Sequence, residues 1–316
     1  MNEKIDPKKV KILWLGTPEI SAIVLEKLIQ SGYNICGVVA SIDKPVGRKQ
    51  VILPVPTKKV ALAHNIPVYQ PLKIKLDYEF VKEINPDLIL CLAYAKIIPQ
   101  GLLDIPKYGC LNLHGSLLPK YRGAAPMQYA LLNGDKETGV TLMQMVDKMD
   151  AGKMYLKKTI QLDDNDNLDS LVLKMADAAY CVVVDGLYDY LNGINVGVDQ
   201  DENEATFTSK ILPENQIISF FDSAENIKNK IRALNSDPGT YFVYKNENYK
   251  VSSSKVVDIQ SNIGEIVSFD KNGLIIGTAS KCISFLTIQK PGKKMLSISD
   301  FYNGNKTLFI KGETIK

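Results

Sequence analysis

The first forty residues confine the fold more than any other part of the chain. Residues 10–15, VKILWL, read as a buried strand. Gly16-Thr17-Pro18 then turns into a helix over 19–31, where Ile20, Ile23, Val24, Leu28 and Ile29 recur at helical spacing. A second strand is expected over 33–40. Strand, helix and strand at this separation form a βαβ unit, whose two strands lie parallel. The turn holds one glycine, Gly16, and no GxGxxG, so neither NAD nor FAD is expected.

The alternation continues with helices over 60–64 and 78–84 and a core strand over 87–92, DLILCL. Ala93-Tyr94-Ala95-Lys96 follows that strand. A short strand over 109–114, GCLNLH, ends in a break at Gly115–Pro119. Ligands of open α/β sheets bind outside the carboxyl ends of the strands. Residues 93–96 and 112–116 therefore share one rim if their strands are parallel neighbours. Tyr121-Arg122-Gly123 reads as a charged, glycine-hinged loop, and Pro126 suits the first turn of a helix. Strands over 138–145 and 155–162 and a helix over 167–190 complete a first domain, 1–191. Residues 192–206, with four acids and two glycines, read as a linker. The remainder, 207–316, has a helix over 220–234 and then short strands punctuated by Gly, Asn and Asp, the pattern of a small barrel.

The chain's 316 residues suffice for two cores. No apolar run reaches the roughly 18–20 residues that span a bilayer, and the N-terminus lacks a signal-peptide pattern. The five cysteines are scattered, with no CxxC and no Cys/His cluster, so neither disulfides nor a metal site is expected. They fit buried thiols of a cytoplasmic protein. From Thr206 onward there are 15 basic and 10 acidic residues, against 23 and 25 before it. That asymmetry is compatible with a polyanionic partner or with solvated lysines.

Successive strand side chains point to opposite faces, so Asn112 and His114 point the same way. An amide can donate to a developing oxyanion while an imidazole moves a proton. Such a pair at a strand end can also simply cap a loop. Two carboxylates downstream, Asp147 and Asp150, could partner His114, and spacing does not choose between them. Cys110 lies close by but has no spare histidine to activate it. The 41–59 stretch reads as a long loop with three prolines, five basic residues and one acid, Asp43. A loop of that length in a compact domain is often functional.

Several strings resemble the methionyl-tRNA formyltransferase family across nearly the whole chain. They are GTPEI at 16–20, DKPVGR at 43–48, AYAKIIP at 93–99, LNLHGSLLPKYRGAAP at 111–126, GDKETGVTLMQM at 134–145, MDAG at 149–152 and IQKPGKKM at 288–295. SLLPKYRG is shared with folate-dependent formyltransferases at large, while DKPVGR and IQKPGKKM point to the tRNA enzymes. The resemblance implies an α/β, Rossmann-like formyltransferase domain with a mainly parallel sheet, followed by a small OB-like β-barrel domain that binds tRNA. It implies transfer of a formyl group from 10-formyltetrahydrofolate, the co-substrate, to the methionine amine on initiator tRNA. The catalytic trio falls on Asn112, His114 and Asp150, and the MDAG string favours Asp150 over Asp147. Folate contacts fall on Ser116, Leu117, Leu118 and Pro119, with Ala93 and Tyr94 on the neighbouring rim. RNA contacts are expected from Arg48 and Lys49 in the loop and from Lys290, Lys293 and Lys294. No metal is expected, and a monomer is.

The chain departs from the family where Gln50-Val51-Ile52 follows Lys49, where Ala95 stands in place of a common glycine, and where LDTGD becomes Met149-Asp150-Ala151-Gly152-Lys153. Other readings are a sugar-amine or purine-precursor formyltransferase, a formyltetrahydrofolate hydrolase, or an RNA-binding protein on the same scaffold. The second domain argues against a purine enzyme, and the intact trio against a non-catalytic one.

Overall fold

The computed structural model describes residues 3–46 and 50–315. The chain forms two compact units. The first comprises Met1–Pro126, Glu137–Gln161 and Val172–Thr208; the second comprises Met127–Lys136, Leu162–Leu171 and Ser209–Lys316.

The first unit is built on a seven-stranded sheet. Its strands, in spatial order, are Met154–Gln161, Glu137–Gln144, Cys110–His114, Leu88–Leu92, Ile12–Gly16, Ile35–Val39 and Val68–Tyr69. The last five are mutually parallel. The first two are antiparallel additions at one edge. Ile12, Leu13 and Trp14 are fully buried, as a strand covered on both faces requires. Helix Glu19–Gln30 turns Ile20, Val24, Leu25 and Leu28 inward. Its Ser21 Oγ accepts a hydrogen bond from Trp14 Nε1 at 2.9 Å. The long helix Leu168–Leu191 buries Met175, Ala179, Val182, Val183 and Leu187 at spacings of one to four residues. Each large apolar side chain so buried contributes about 1.5–3 kcal/mol.

One stretch differs from expectation. Within 41–59, Lys44–Val46 and Val51–Leu53 pair as an antiparallel hairpin, and helix Pro56–Ala63 begins before position 60. The prolines conceal both elements. Pro45 lies in a two-stranded ribbon, where a missing donor costs little, and Pro56 occupies a first helical turn, where no donor is needed. Asp43 anchors the base of the hairpin, accepting hydrogen bonds from Lys58 Nζ at 2.6 Å, Gln70 Nε2 at 2.9 Å and Val55 N at 3.2 Å. Residues 192–206 hydrogen-bond to earlier parts of the first unit through Gln200, Glu202 and Thr206.

In the second unit, helix Ala224–Leu234 starts at a hydroxyl cap, Ser223 Oγ accepting the Asn226 N–H at 3.2 Å. Strands Thr240–Tyr244 and Glu247–Val251 form a hairpin through Lys245 and Asn246. Both turn residues have positive φ, 48° and 62°, the geometry of a primed two-residue turn. A separate antiparallel sheet has the order Ser254–Val257, Cys282–Phe285, Gly273–Gly277 and Ile266–Asp270. Aromatic rings fill the core, with Phe242 stacked on Phe285 at 5.3 Å and Tyr249 edge-on to Phe309 at 5.4 Å. Arg232 Nη1 donates to the carbonyls of Asp163 and Asp166 at 3.2 and 3.4 Å, tying a segment from much earlier in the chain to this unit. Among the described residues, no helix is long and apolar enough to cross a membrane.

Candidate active site

The Cys110–His114 strand lies between a parallel and an antiparallel neighbour. Cys91 pairs with Asn112 on one side, and Thr141 with His114 on the other. The 93–96 and 112–116 segments therefore leave the sheet at the same rim. Asn112 is half-buried, and its side-chain amide has no hydrogen-bond partner among the described residues. His114 is 5% exposed. Its Nε2 lies 2.8 Å from the carbonyl oxygen of Tyr121. A carbonyl can only accept, so Nε2 carries the proton and Nδ1 is the nitrogen free to gain or lose one.

That Nδ1 faces Asp150 Oδ1 at 3.6 Å, an ion-pair separation rather than a hydrogen bond. Asp150 Oδ2 accepts the Gly123 N–H at 2.8 Å. Asp147, the other carboxylate considered from spacing, is exposed and accepts from the Lys148 N–H at 2.8 Å. Tyr121 and Asp150 both have left-handed backbones, with φ of 60° and 50°. Gly123 has φ +116°, and a Cβ there would lie 2.3 Å from the Thr208 carbonyl oxygen. Only glycine allows the close approach that delivers its N–H to Asp150.

The turn after the strand is internally bonded. Ser116 is fully buried and donates its hydroxyl to the Lys120 carbonyl at 2.6 Å. Leu118 and Pro119 are buried and Leu117 is half-buried. Lys157 Nζ donates to the Leu118 carbonyl at 2.5 Å. On the neighbouring rim Ala93 is exposed, and Ala93 and Ala95 are left-handed, with φ of 55° and 59°. Tyr94 between them is buried, and its hydroxyl has no partner among the described residues. Burial pushes the Tyr94 phenol above its ordinary pKa. Burial likewise raises the Cys110 thiol, whose Sγ–H points to the Leu103 carbonyl at 3.7 Å. A thiol so held is a poor nucleophile.

Sequence reasoning passed over a group of residues behind the trio. Arg122, expected in a charged loop, is fully buried. Its Nη1 and Nη2 donate to the two Glu202 carboxylate oxygens at 3.2 and 2.9 Å, and its Nε donates to Gln200 Oε1 at 2.9 Å. Lys148 Nζ also donates to Glu202, at 2.8 Å. These hydrogen bonds, first from Arg122 and then from Lys148, hold the Glu202 carboxyl down at about 2. Arg122–Gly123 also pairs in parallel with Phe207–Thr208.

The lysines expected to meet RNA lie in the second unit. Lys290, Lys293 and Lys294 line a cavity of about 490 Å³ together with Leu296, Phe301 and Asn305. Arg48 and Lys49 lie outside the described residues. Among the described residues, no group of three or more His, Cys, Asp or Glu side chains is placed to hold a metal ion.

Residues 8–187 match the formyl transferase family, and residues 210–306 match the formyl transferase C-terminal domain. The architecture agrees with that of HypX from Aquifex aeolicus, solved in complex with tetrahydrofolic acid. The TM-score is 0.68 at 17% identity, over 97% of this chain and 49% of HypX, so the chain spans about half of that protein. The class is thus a formyl transferase. The methionyl-tRNA formyltransferase of Bacillus pumilus is 40% identical over 299 residues, 93% of this chain and 94% of the relative. That of Lactobacillus gasseri is 38% identical over 308 residues, 96% and 98% of the two chains. The chain belongs to the methionyl-tRNA formyltransferase family.

Proposed function

We propose that this enzyme transfers the formyl group of 10-formyltetrahydrofolate to the α-amine of methionine carried on initiator tRNA. The observation that carries the reading is the Asn112 amide, without a hydrogen-bond partner among the described residues, on the same strand face as His114, which pairs with Asp150. The exposed, left-handed Ala93 on the adjoining rim fits a ligand that approaches the backbone closely. The co-substrate supplies an activated formyl carbon on its N10.

Asn112 donates an amide N–H to the formyl oxygen as negative charge develops there. Such a donor contributes about 3–4 kcal/mol in the transition state. His114 Nδ1 takes the proton released by the attacking amine, directly or through a water held by Asp150. It returns that proton to N10 as the carbon–nitrogen bond breaks, so no net proton is released. Asp150 stabilises the imidazolium formed in between. Ser116, Leu117, Leu118 and Pro119, with Ala93 and Tyr94, shape the folate side. The buried Ser116 hydroxyl is bound to Lys120, so its part there is to hold the turn.

RNA phosphates are gripped by Lys290, Lys293 and Lys294, with Arg48 and Lys49 near the acceptor end. We take the transferase part as 1–191 and the OB-like, tRNA-gripping part as 207–316, joined through 192–206. The enzyme works as a cytoplasmic monomer, which a single-chain mass in sedimentation would support.

The test compares wild type with Asn112→Ala on methionyl initiator tRNA, free methionine and buffer alone. Transfer to the charged tRNA alone, lowered by about two to three orders of magnitude in the variant, is expected. Folate turnover without tRNA would replace this reading with a hydrolase. Full activity of the variant would remove Asn112 from the mechanism.

A further inference from the structure

Asp150 is held at two points, and one hold comes from a residue fifty positions later in the chain. Gly123 secures the carboxylate. The backbone is secured by Gln200, whose Nε2 donates to the carbonyls of Asp150 and Gly152, both at 2.8 Å. Gln200 Oε1 in turn accepts from Arg122 Nε at 2.9 Å. Arginine has donors alone, so the oxygen of the Gln200 amide must face Arg122 and its NH2 must face the two carbonyls. Arg122 cannot swing away, because it is fully buried and its other nitrogens are bound to Glu202. Gln200 therefore joins the two loops that meet at His114: the 121–123 loop, which holds the imidazole through the Tyr121 carbonyl, and the 150–152 turn, which presents the carboxylate.

A left-handed backbone at an aspartate is disfavoured in isolation and persists where the surroundings over-determine it. Gln200 supplies that determination from outside the turn. We infer that Gln200 is a positioning residue for formyl transfer, holding Asp150 Oδ1 against His114 Nδ1 through the backbone of the 150–152 turn. The inference rests on the proposed role of Asp150 in proton movement. Gln200 acts through Asp150, so its effect must vanish when Asp150 no longer does its work.

A kinetic double-mutant cycle tests this. The four proteins are wild type, Gln200→Leu, Asp150→Asn and the double variant, assayed for formylation of methionyl initiator tRNA. Gln200→Leu is expected to lower kcat on the order of ten- to a hundredfold, leaving KM for both substrates within about threefold. In the Asp150→Asn background the same substitution is expected to cost less than about twofold. Equal losses in both backgrounds would make Gln200 a general structural prop and overturn the inference, as would an unchanged kcat in Gln200→Leu. A wild-type kcat in Asp150→Asn would overturn the proposed role of Asp150 itself, an outcome read without any change at Gln200. Gln200→Glu covers the case in which the leucine variant fails to fold. It keeps the acceptor for Arg122 and the size of the side chain but lacks the NH2 group. It is expected to show the same loss of kcat while still folded at the assay temperature, and full activity in it would overturn the inference.

Discussion

At the residue scale, a single acceptor defines what His114 can do. The Tyr121 carbonyl holds Nε2–H, so any proton traffic passes through Nδ1, on the side of Asp150. Ala95 is a second informative residue. It stands where the family commonly has glycine, yet its φ is +59°, in the region glycine favours. Relief of that strain by Ala95→Gly is partly offset by the extra freedom glycine has when unfolded. The expected net gain is about 0.5–1 kcal/mol. A thermal melt should rise by about 1–3 °C, and an unchanged or lower melting temperature would mean that the surroundings already compensate the strain.

At the element scale, the 200–208 segment is strapped across the 119–125 loop. Thr206 Oγ1 accepts the Tyr121 N–H at 2.8 Å, and the Thr206 carbonyl accepts the Arg122 N–H at 2.8 Å. Gly123→Ala would push a methyl into the Thr208 carbonyl and is expected to cost about 1–3 kcal/mol. Urea unfolding would measure that loss, and the N–H bond to Asp150 should be lost with it. The strap also has an acid limit. Glu202 titrates at about 2 when folded, against an ordinary value of 4.5. A lowered folded pKa adds stability that is complete above the unfolded value and disappears as pH falls through the folded one. The gap in urea midpoint between wild type and Glu202→Gln should therefore be constant above about pH 5 and narrow as pH falls from 4.5 towards 2. A gap independent of pH would mean that the carboxylate charge contributes nothing.

The strap also marks where reading the chain stops. The parallel sheet was legible because runs such as 10–15 and 87–92 are local and apolar, and their pattern states their burial. Asn112 and His114 were legible because a strand places alternate residues on one face. Asp150 was separated from Asp147 by the MDAG string, not by any physical signal. Gln200 and Glu202 carried no signal, and nothing tied Arg122 to them, because partners some eighty positions along the chain share no period with it. A buried arginine looks like a surface one until its partners are known. The hairpin within 41–59 was hidden for the opposite reason, since its prolines mark a loop unless their neighbours in the ribbon and the helix turn are seen.

At the scale of the whole molecule, the second unit carries the lysines expected to meet RNA. Substituting Lys290, Lys293 and Lys294 with alanine should weaken tRNA binding and flatten its dependence on salt. The slope of log affinity against log salt should fall by about 2–3 if each lysine meets a phosphate. Fluorescence titration at several salt concentrations measures it, and an unchanged slope would mean that these lysines face solvent.

The interleaved order of the two units bears on how the chain is made. Residues 162–171 leave a ribosome well before Arg232, Asn235 and Ser236, the residues that receive them. At about 5–20 residues per second several seconds pass before those later donors emerge. The first unit is complete in sequence at Thr208, while the second must gather two pieces already synthesised. A nascent chain stalled soon after Thr208 should therefore resist protease over most of its sheet yet be cut at 127–136 and 162–171, and those cuts should cease once the last hundred residues have emerged.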